Sequence, residues 1–258
     1  TAIGVSALSS NTTGAGNTAV GKDSMRATTT GTRNTALGHA SLEINTTGDD
    51  NVALGDFALY NNTTANNNVA VGKDAMLSNT TGASNVAVGY VALDANTTGS
   101  NNTSIGSYSL GANTTGDANT AVGNDCLDSN TTGVRNTAIG VDALQANATS
   151  NDNVAVGYAA LQANEASNNT AVGKNAGYST TTGTLNTMIG FDAGSGTSTG
   201  INNTCVGANA GENITTGSYN TMIGESTSIT SATTNNANAF GASVTGESGY
   251  TTIGLDTS

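Results

Sequence analysis

Glycine recurs at a fixed interval of 17 residues, at Gly4, Gly21, Gly38, Gly55, Gly72, Gly89, Gly106, Gly123, Gly140 and Gly157. After a single 16-residue step the series resumes at Gly173, Gly190, Gly207, Gly224 and Gly241, and a shorter step leads to Gly254. Each anchor glycine closes a string of the type Asn-Thr-Ala-Val-Gly, and most are followed by a corner of the type Asn-Thr-Thr-Gly. A unit this short cannot bury a core alone, whereas stacked copies bury a continuous one. The corners interrupt every apolar run, and Gly and Asn weaken a helix interior, so a helical repeat is disfavoured. The period predicts an all-β fold: a parallel β-solenoid of 17-residue turns, one repeat per turn. Stacking at the strand spacing of a sheet would make it an extended fibre of roughly 70 Å.

Two apolar rows accompany the anchors. The residue before the glycine is apolar in all sixteen copies, from Ile3, Val20 and Leu37 to Phe240 and Ile253, and the residue before that is small in most, as in Ala19, Ala36, Ala53, Ala70 and Ala87. Four residues after the anchor lie Leu8, Met25, Leu42, Leu59, Met76, Leu93, Leu110, Leu127, Leu144 and Leu161. Two short apolar segments per turn predict a thin two-strand coil with the Val/Ile and Leu/Met rows in its core. On that view Val122→Asp should break one turn, because an unpaired buried charge is costly. The second row becomes Gly177, Gly194 and Gly211. There the cross-section must narrow or a partner contact change, which divides the chain into regular repeats over 1–164, variant repeats over 165–224 and degenerate terminal repeats over 225–258. Both faces of the strand before the anchor carry apolar or small residues, yet a thin coil has one interior. An identical neighbour is the economical cover for the other face, which predicts a homo-oligomer, closed about the long axis in a fibre.

Asn stands four residues before the anchor in thirteen consecutive copies: Asn17, Asn34, Asn51, Asn68, Asn85, Asn102, Asn119, Asn136, Asn153, Asn169, Asn186, Asn203 and Asn220. Stacked amides of this kind hydrogen-bond along the axis of cross-β arrays, so the row is expected to be a structural ladder.

Composition narrows the function. Charged residues make up 9% of the chain, against about 25% in an ordinary globular domain, which argues against a common enzyme domain. A net charge of -12 with six Lys+Arg excludes the basic surface that nucleic acid requires. No apolar run approaches the roughly 20 residues of a membrane-spanning helix. The absence of proline excludes collagen-like and proline-rich architectures. The sequence opens inside its own motif at Thr1-Ala2-Ile3-Gly4, as a segment of a longer array would.

The units Asn17-Thr18-Ala19-Val20-Gly21 and Asn85-Val86-Ala87-Val88-Gly89, followed three residues later by Ser24 or Ala92, resemble the head repeats of trimeric autotransporter adhesins. They are also similar to shaft repeats of phage and virus tail fibres. The resemblance covers nearly the whole chain. It implies a left-handed β-roll, a homotrimer, and an adhesive or spacing role outside a cell or on a virion. The longer repeat, the Asn-Thr-Thr-Gly corner and the lack of a coiled-coil stalk or anchor segment depart from a complete adhesin.

Motifs that would carry chemistry fall on the repeat's own register. Gly16 to Lys22 nearly matches a phosphate-binding loop, but Asp23 stands where that loop needs Ser or Thr for magnesium. Gly196-Thr197-Ser198-Thr199-Gly200 matches a nucleophile elbow, yet Ser198 occupies the corner position of Thr12, Thr46, Thr80 and Thr114, and the one histidine in the chain is His39. A zinc site within one chain needs more ligands than His39 supplies, and a solvent-facing role is expected for it. Cys126 and Cys205 both fall on small-residue positions five turns apart, roughly 24 Å along a stack and beyond disulfide reach. Asp23, Asp74, Asp125, Asp142 and Asp192 follow the anchor by two and read as a solvated face, since calcium needs several converging oxygens. No cofactor is expected.

Asn11, Asn45, Asn62, Asn79, Asn96, Asn113 and Asn130 form N-x-T sequons at what reads as an exposed corner. Sugar attachment and a turn ladder are both open there. Three functions follow from these features. The first is a non-catalytic extracellular shaft whose partner is itself. The second is a module binding surface glycans or a host receptor along its side, with Tyr90, Tyr108 and Tyr158 in contact. The third is an ice-binding solenoid using Thr80, Thr97, Thr114 and Thr131.

Overall fold

The computed structural model describes residues 1–254. They form two compact units, Thr1–Val134 and a second that begins at Arg135. Among the described residues there is no helix, and so none long and apolar enough to cross a membrane. Each unit is a parallel β-solenoid with one short strand per turn, joined by a second short strand in the last turns of the second unit.

In the first unit the strands are β1 (Ala2–Ile3), β2 (Thr18–Val20), β3 (Thr35–Leu37), β4 (Val52–Leu54), β5 (Val69–Val71), β6 (Val86–Val88), β7 (Thr103–Ile105) and β8 (Thr120–Val122). They pair in parallel, in order and in register, so Ala53 lies beside Ala70 and Leu54 beside Val71. In the second unit β9 (Thr137–Ile139), β10 (Val154–Val156), β11 (Thr170–Val172), β12 (Thr187–Ile189), β13 (Thr204–Val206) and β14 (Thr221–Ile223) continue the same pattern. The sheet then takes β16 (Asn238–Phe240) and β18 (Thr251–Ile253), while β15 (Ser228–Ile229) and β17 (Thr245–Gly246) form a separate two-stranded sheet. The 16-residue step is absorbed in the corner Asn164-Glu165-Ala166, and the Val156–Val172 register across it is kept.

Up to Gly224 the wall facing the strand is not a second strand; only in the last turns do β15 and β17 take that place. Positive φ recurs two and four residues after the anchor, at Asp23 and Met25, Asp74 and Met76, Asp125 and Leu127. Alternate amides bond within the turn and between turns: Arg26 N–H donates to Asp23 carbonyl at 3.3 Å, whereas Met25 and Ala27 donate to Ser41 and Glu43 on the next turn at 3.0 and 2.9 Å. The cause is packing. Ser24 and Met25 are both fully buried, as are Ala58 and Leu59, and adjacent residues of a regular strand point to opposite faces. The expected two-strand coil is thereby corrected, for the turns up to Gly224, to one strand facing a wall of consecutive turns; the turns that hold β15 and β17 do have two strands.

The core lies between the small residues of the strand and the Leu/Met row. Ala19, Ala36, Ala53, Ala70 and Ala87 are fully buried, and so are Met25, Leu42, Leu59, Met76 and Leu93. The Val/Ile row points outward instead, with Leu37 53% and Ile105 39% exposed. Val122 belongs to that outward row, so the core position assigned to it is corrected, and a charge there does not enter the interior.

Where the Leu row turns to glycine, the strand refills the space. A Cβ on Gly177 would stand 2.8 Å from Met188 Sδ, and one on Gly194 would stand 2.7 Å from Met188 Cγ. Met188, Cys205 and Met222 replace the strand alanines and are fully buried. The exchange of Ala opposite Leu for Met or Cys opposite Gly keeps interior volume close to constant, as close packing requires.

Candidate functional site

Amide side chains run along both ends of the strand-to-wall interior. In the first ladder Asn68 Nδ2 donates to Gly82 carbonyl at 2.9 Å, its N–H donates to Asn51 Oδ1 at 3.0 Å, and its Oδ1 accepts the N–H of Asn85 at 2.9 Å. The pattern repeats through Asn34, Asn51, Asn102 and Asn119, and in the second unit through Asn153, Asn169, Asn186, Asn203 and Asn220. Asn17 starts the row, bonded to Gly31 carbonyl, and Asn136 Nδ2 donates to Ser150 carbonyl.

The sequon asparagines form a second ladder. Asn62 donates to Asn45 Oδ1, Asn79 to Asn62, Asn96 to Asn79, Asn113 to Asn96 and Asn130 to Asn113, at 2.8–3.0 Å. Asn45, Asn62, Asn79, Asn96, Asn113 and Asn130 are fully buried, and Asn11 in the first turn is exposed. The exposed corner expected for these residues is therefore corrected: each amide turns inward to close its own corner, as Asn62 does on Ala65 carbonyl at 3.1 Å. The folded chain withholds those six nitrogens from a modifying enzyme. The neighbouring Thr80, Thr97 and Thr114 hydroxyls donate to the carbonyls of Thr97, Thr114 and Thr131, so their protons are committed within the stack.

The remaining catalytic and metal candidates sit apart from one another. Lys22 ends 3.6 Å from Asp23, Ser198 is a corner residue whose N–H donates to Thr215 carbonyl, and His39 is exposed beside Asp56 at 3.0 Å. Among the described residues no three His, Cys, Asp or Glu side chains gather as metal ligands. Cys126 and Cys205 are buried and in no disulfide, and burial pushes the Cys205 thiol up to about 12, which suits a core side chain rather than a nucleophile.

Two carboxylates lean into the gap over Gly111, Asp128 Oδ1 at 2.8 Å and Asp94 Oδ1 at 3.7 Å from where its Cβ would stand. Burial raises both pKa values, and nearby acids add to the effect, Asp128 and Asp74 on Asp94 and Asp125 on Asp128. A carboxyl whose folded pKa is raised opposes folding once ionised. Its penalty is absent below the unfolded value and complete above the folded one. Asp94→Asn is thus expected to melt higher than the parent at neutral pH, with the gap closing below about pH 4. Thermal unfolding followed by circular dichroism across that range checks it, and a gap that widens on acidification would contradict the assignment.

Aromatic side chains gather on the outer side of the turn wall in the first unit. Tyr90 and Tyr108 meet edge to face at 5.5 Å with Lys73 5.7 Å over the Tyr90 ring; Tyr158 lies in the second unit. His39, Phe57 and Tyr60 form a further chain, with centroids 5.0 and 5.5 Å apart. Beside it Phe57, Tyr60, Asn61, Asp74 and Leu77 line an open groove of about 420 Å³. The sequence pattern did not single out this groove, although the period places Tyr60 one turn from Leu77 and Phe57 one turn from Asp74.

Fold and ladders together define the class: a parallel β-solenoid repeat protein. No protein-family model, curated protein or solved structure matches the chain.

Proposed function

We propose that the chain is a non-catalytic shaft segment of an extracellular fibre, on a cell surface or a virion, whose copies associate through the outer face of the strand sheet. The observation that carries the reading is the uncovered apolar face itself. Val52, Leu54, Val69, Val71, Val86 and Val88 stand side by side on paired strands, half-buried, in the same outward row as the exposed Leu37 and Ile105. A contiguous face of β-branched residues marks an interaction surface, and in-register copies suit a symmetric partner of the same sequence. The committed Thr hydroxyls favour this reading over ice binding.

Sedimentation velocity tests it. The chain is expected to sediment at three chain masses. Ile105→Asp, on the outward row, is expected to shift it to one chain mass while leaving the circular dichroism spectrum unchanged. A parent chain that is monomeric at high concentration would remove the proposal.

A further inference from the structure

We propose that the groove on the turn wall is a binding subsite for a neutral sugar ring. Two aromatic rings set at 67° to each other form one side of it, and Leu77 extends the apolar floor. Around that floor stand polar groups with unused capacity. The Asn61 amide and the Tyr60 hydroxyl have no hydrogen-bond partner among the described residues, and Asp74 keeps Oδ1 beyond the bond its Oδ2 accepts from Lys73. An apolar platform ringed by a few polar groups that fix orientation is the usual composition of a small-molecule site. A pyranose matches both parts, with C–H bonds on its face and hydroxyls at its edge. A quaternary ammonium would use the rings but leave the amide and phenol idle, and an anion is opposed by Asp74 and the net charge of -12.

The repeat also bears on how the groove variants should fold. Phe57 holds φ of 55° at a position that is left-handed throughout the described turns, where Asp or Asn is the commonest residue and where Val91 and Tyr108 are also accommodated. Asn tolerates that backbone, whereas a bulky aromatic does so at a cost. Phe57 is half-buried at the groove.

The repeat also supplies the test variants, because other turns carry small residues at the same positions: Ser9 and Ser195 in place of Tyr60, and Ala95 and Ala112 in place of Asn61. Saturation-transfer NMR on the full chain, with methyl glycosides of glucose, galactose, mannose and N-acetylglucosamine, is expected to show transfer to the ring C–H protons of at least one. Phe57→Asn and Tyr60→Ser should each weaken its affinity about tenfold. Asn61→Ala should weaken it less, and Tyr158→Ala should leave it unchanged. Phe57→Asn should also melt at or above the parent temperature, which separates loss of binding from loss of fold. Transfer to none of the sugars, transfer that survives all three groove substitutions, or transfer to choline chloride alone would overturn the proposal. The oligomeric state does not enter this readout, so the subsite and the shaft reading stand or fall separately.

Discussion

Gly106→Ala is expected to cost about 4 kcal/mol or more and to split the unfolding of the solenoid into two transitions. Gly106 holds φ of +134°, and an added Cβ would overlap the Gly123 carbonyl oxygen and stand 2.6 Å from its carbon. Both partners are backbone, so neither a rotamer change nor a side-chain shift can make room. The Ala must move its own turn away from the next, which breaks the bond from Gly123 N–H to Ile105 carbonyl at 2.8 Å. Stability in a stacked array is a sum over turns and interfaces, so one weak interface uncouples the turns on either side. Calorimetry or circular dichroism melting reads the effect. A single transition within about 1 kcal/mol of the parent would show that the anchor glycines do not set the stacking distance.

Asn68 provides the second large effect, with a response to pH from one of two substitutions and not from the other. Asn68→Ala leaves the Asn85 N–H without its acceptor in a buried position, at a cost of about 2 kcal/mol. Asn68→Asp keeps that acceptor but turns a carboxylate oxygen toward the Gly82 carbonyl and buries a charge, at a cost of about 4 kcal/mol at neutral pH. Burial raises the folded pKa of such a carboxyl, so its penalty shrinks as pH falls through that value. The Asp variant is therefore the less stable of the two at pH 7 and recovers on acidification, while the Ala variant shows no comparable recovery. Urea midpoints at several pH values check the order, and identical pH profiles for both would place the ladder in contact with solvent.

The interval between glycines was enough to read the parallel solenoid and its one-turn unit, because a fixed register leaves little topological freedom. The direction of the strand was harder. Val and Ile are more apolar than Ala, which draws them toward the core in any reading based on hydrophobicity, yet the turn is narrow and the Leu/Met row already fills it. The clue was volume: Met188, Cys205 and Met222 enter the strand where Gly177, Gly194 and Gly211 leave the wall. Adjacency told against a second strand, since Ser24-Met25 and Ala75-Met76 are neighbours that both face inward. The Asn-Thr-Thr-Gly corner carried the composition of an exposed turn, and its amides are buried because each closes its own corner and bonds to the previous turn. The aromatic groove is assembled from two turns, so a reading along single repeats passed over it.

The in-register ladders make change in chain length a matter of arithmetic. Removing or adding a whole 17-residue copy joins each side chain to another of its own kind, Asn to Asn and Ala to Ala, and preserves the strand register seen between Val69 and Val86. Loss of one residue from a strand would instead rotate every later side chain out of its row. The corner Asn164-Glu165-Ala166 marks where a single deletion has been accommodated, with Asn153 Oδ1 still accepting the Asn169 N–H at 2.9 Å across the shortened turn. Such a gene is free to grow or shrink by duplication of its own unit, and the number of turns in its product becomes a heritable quantity that changes in whole steps.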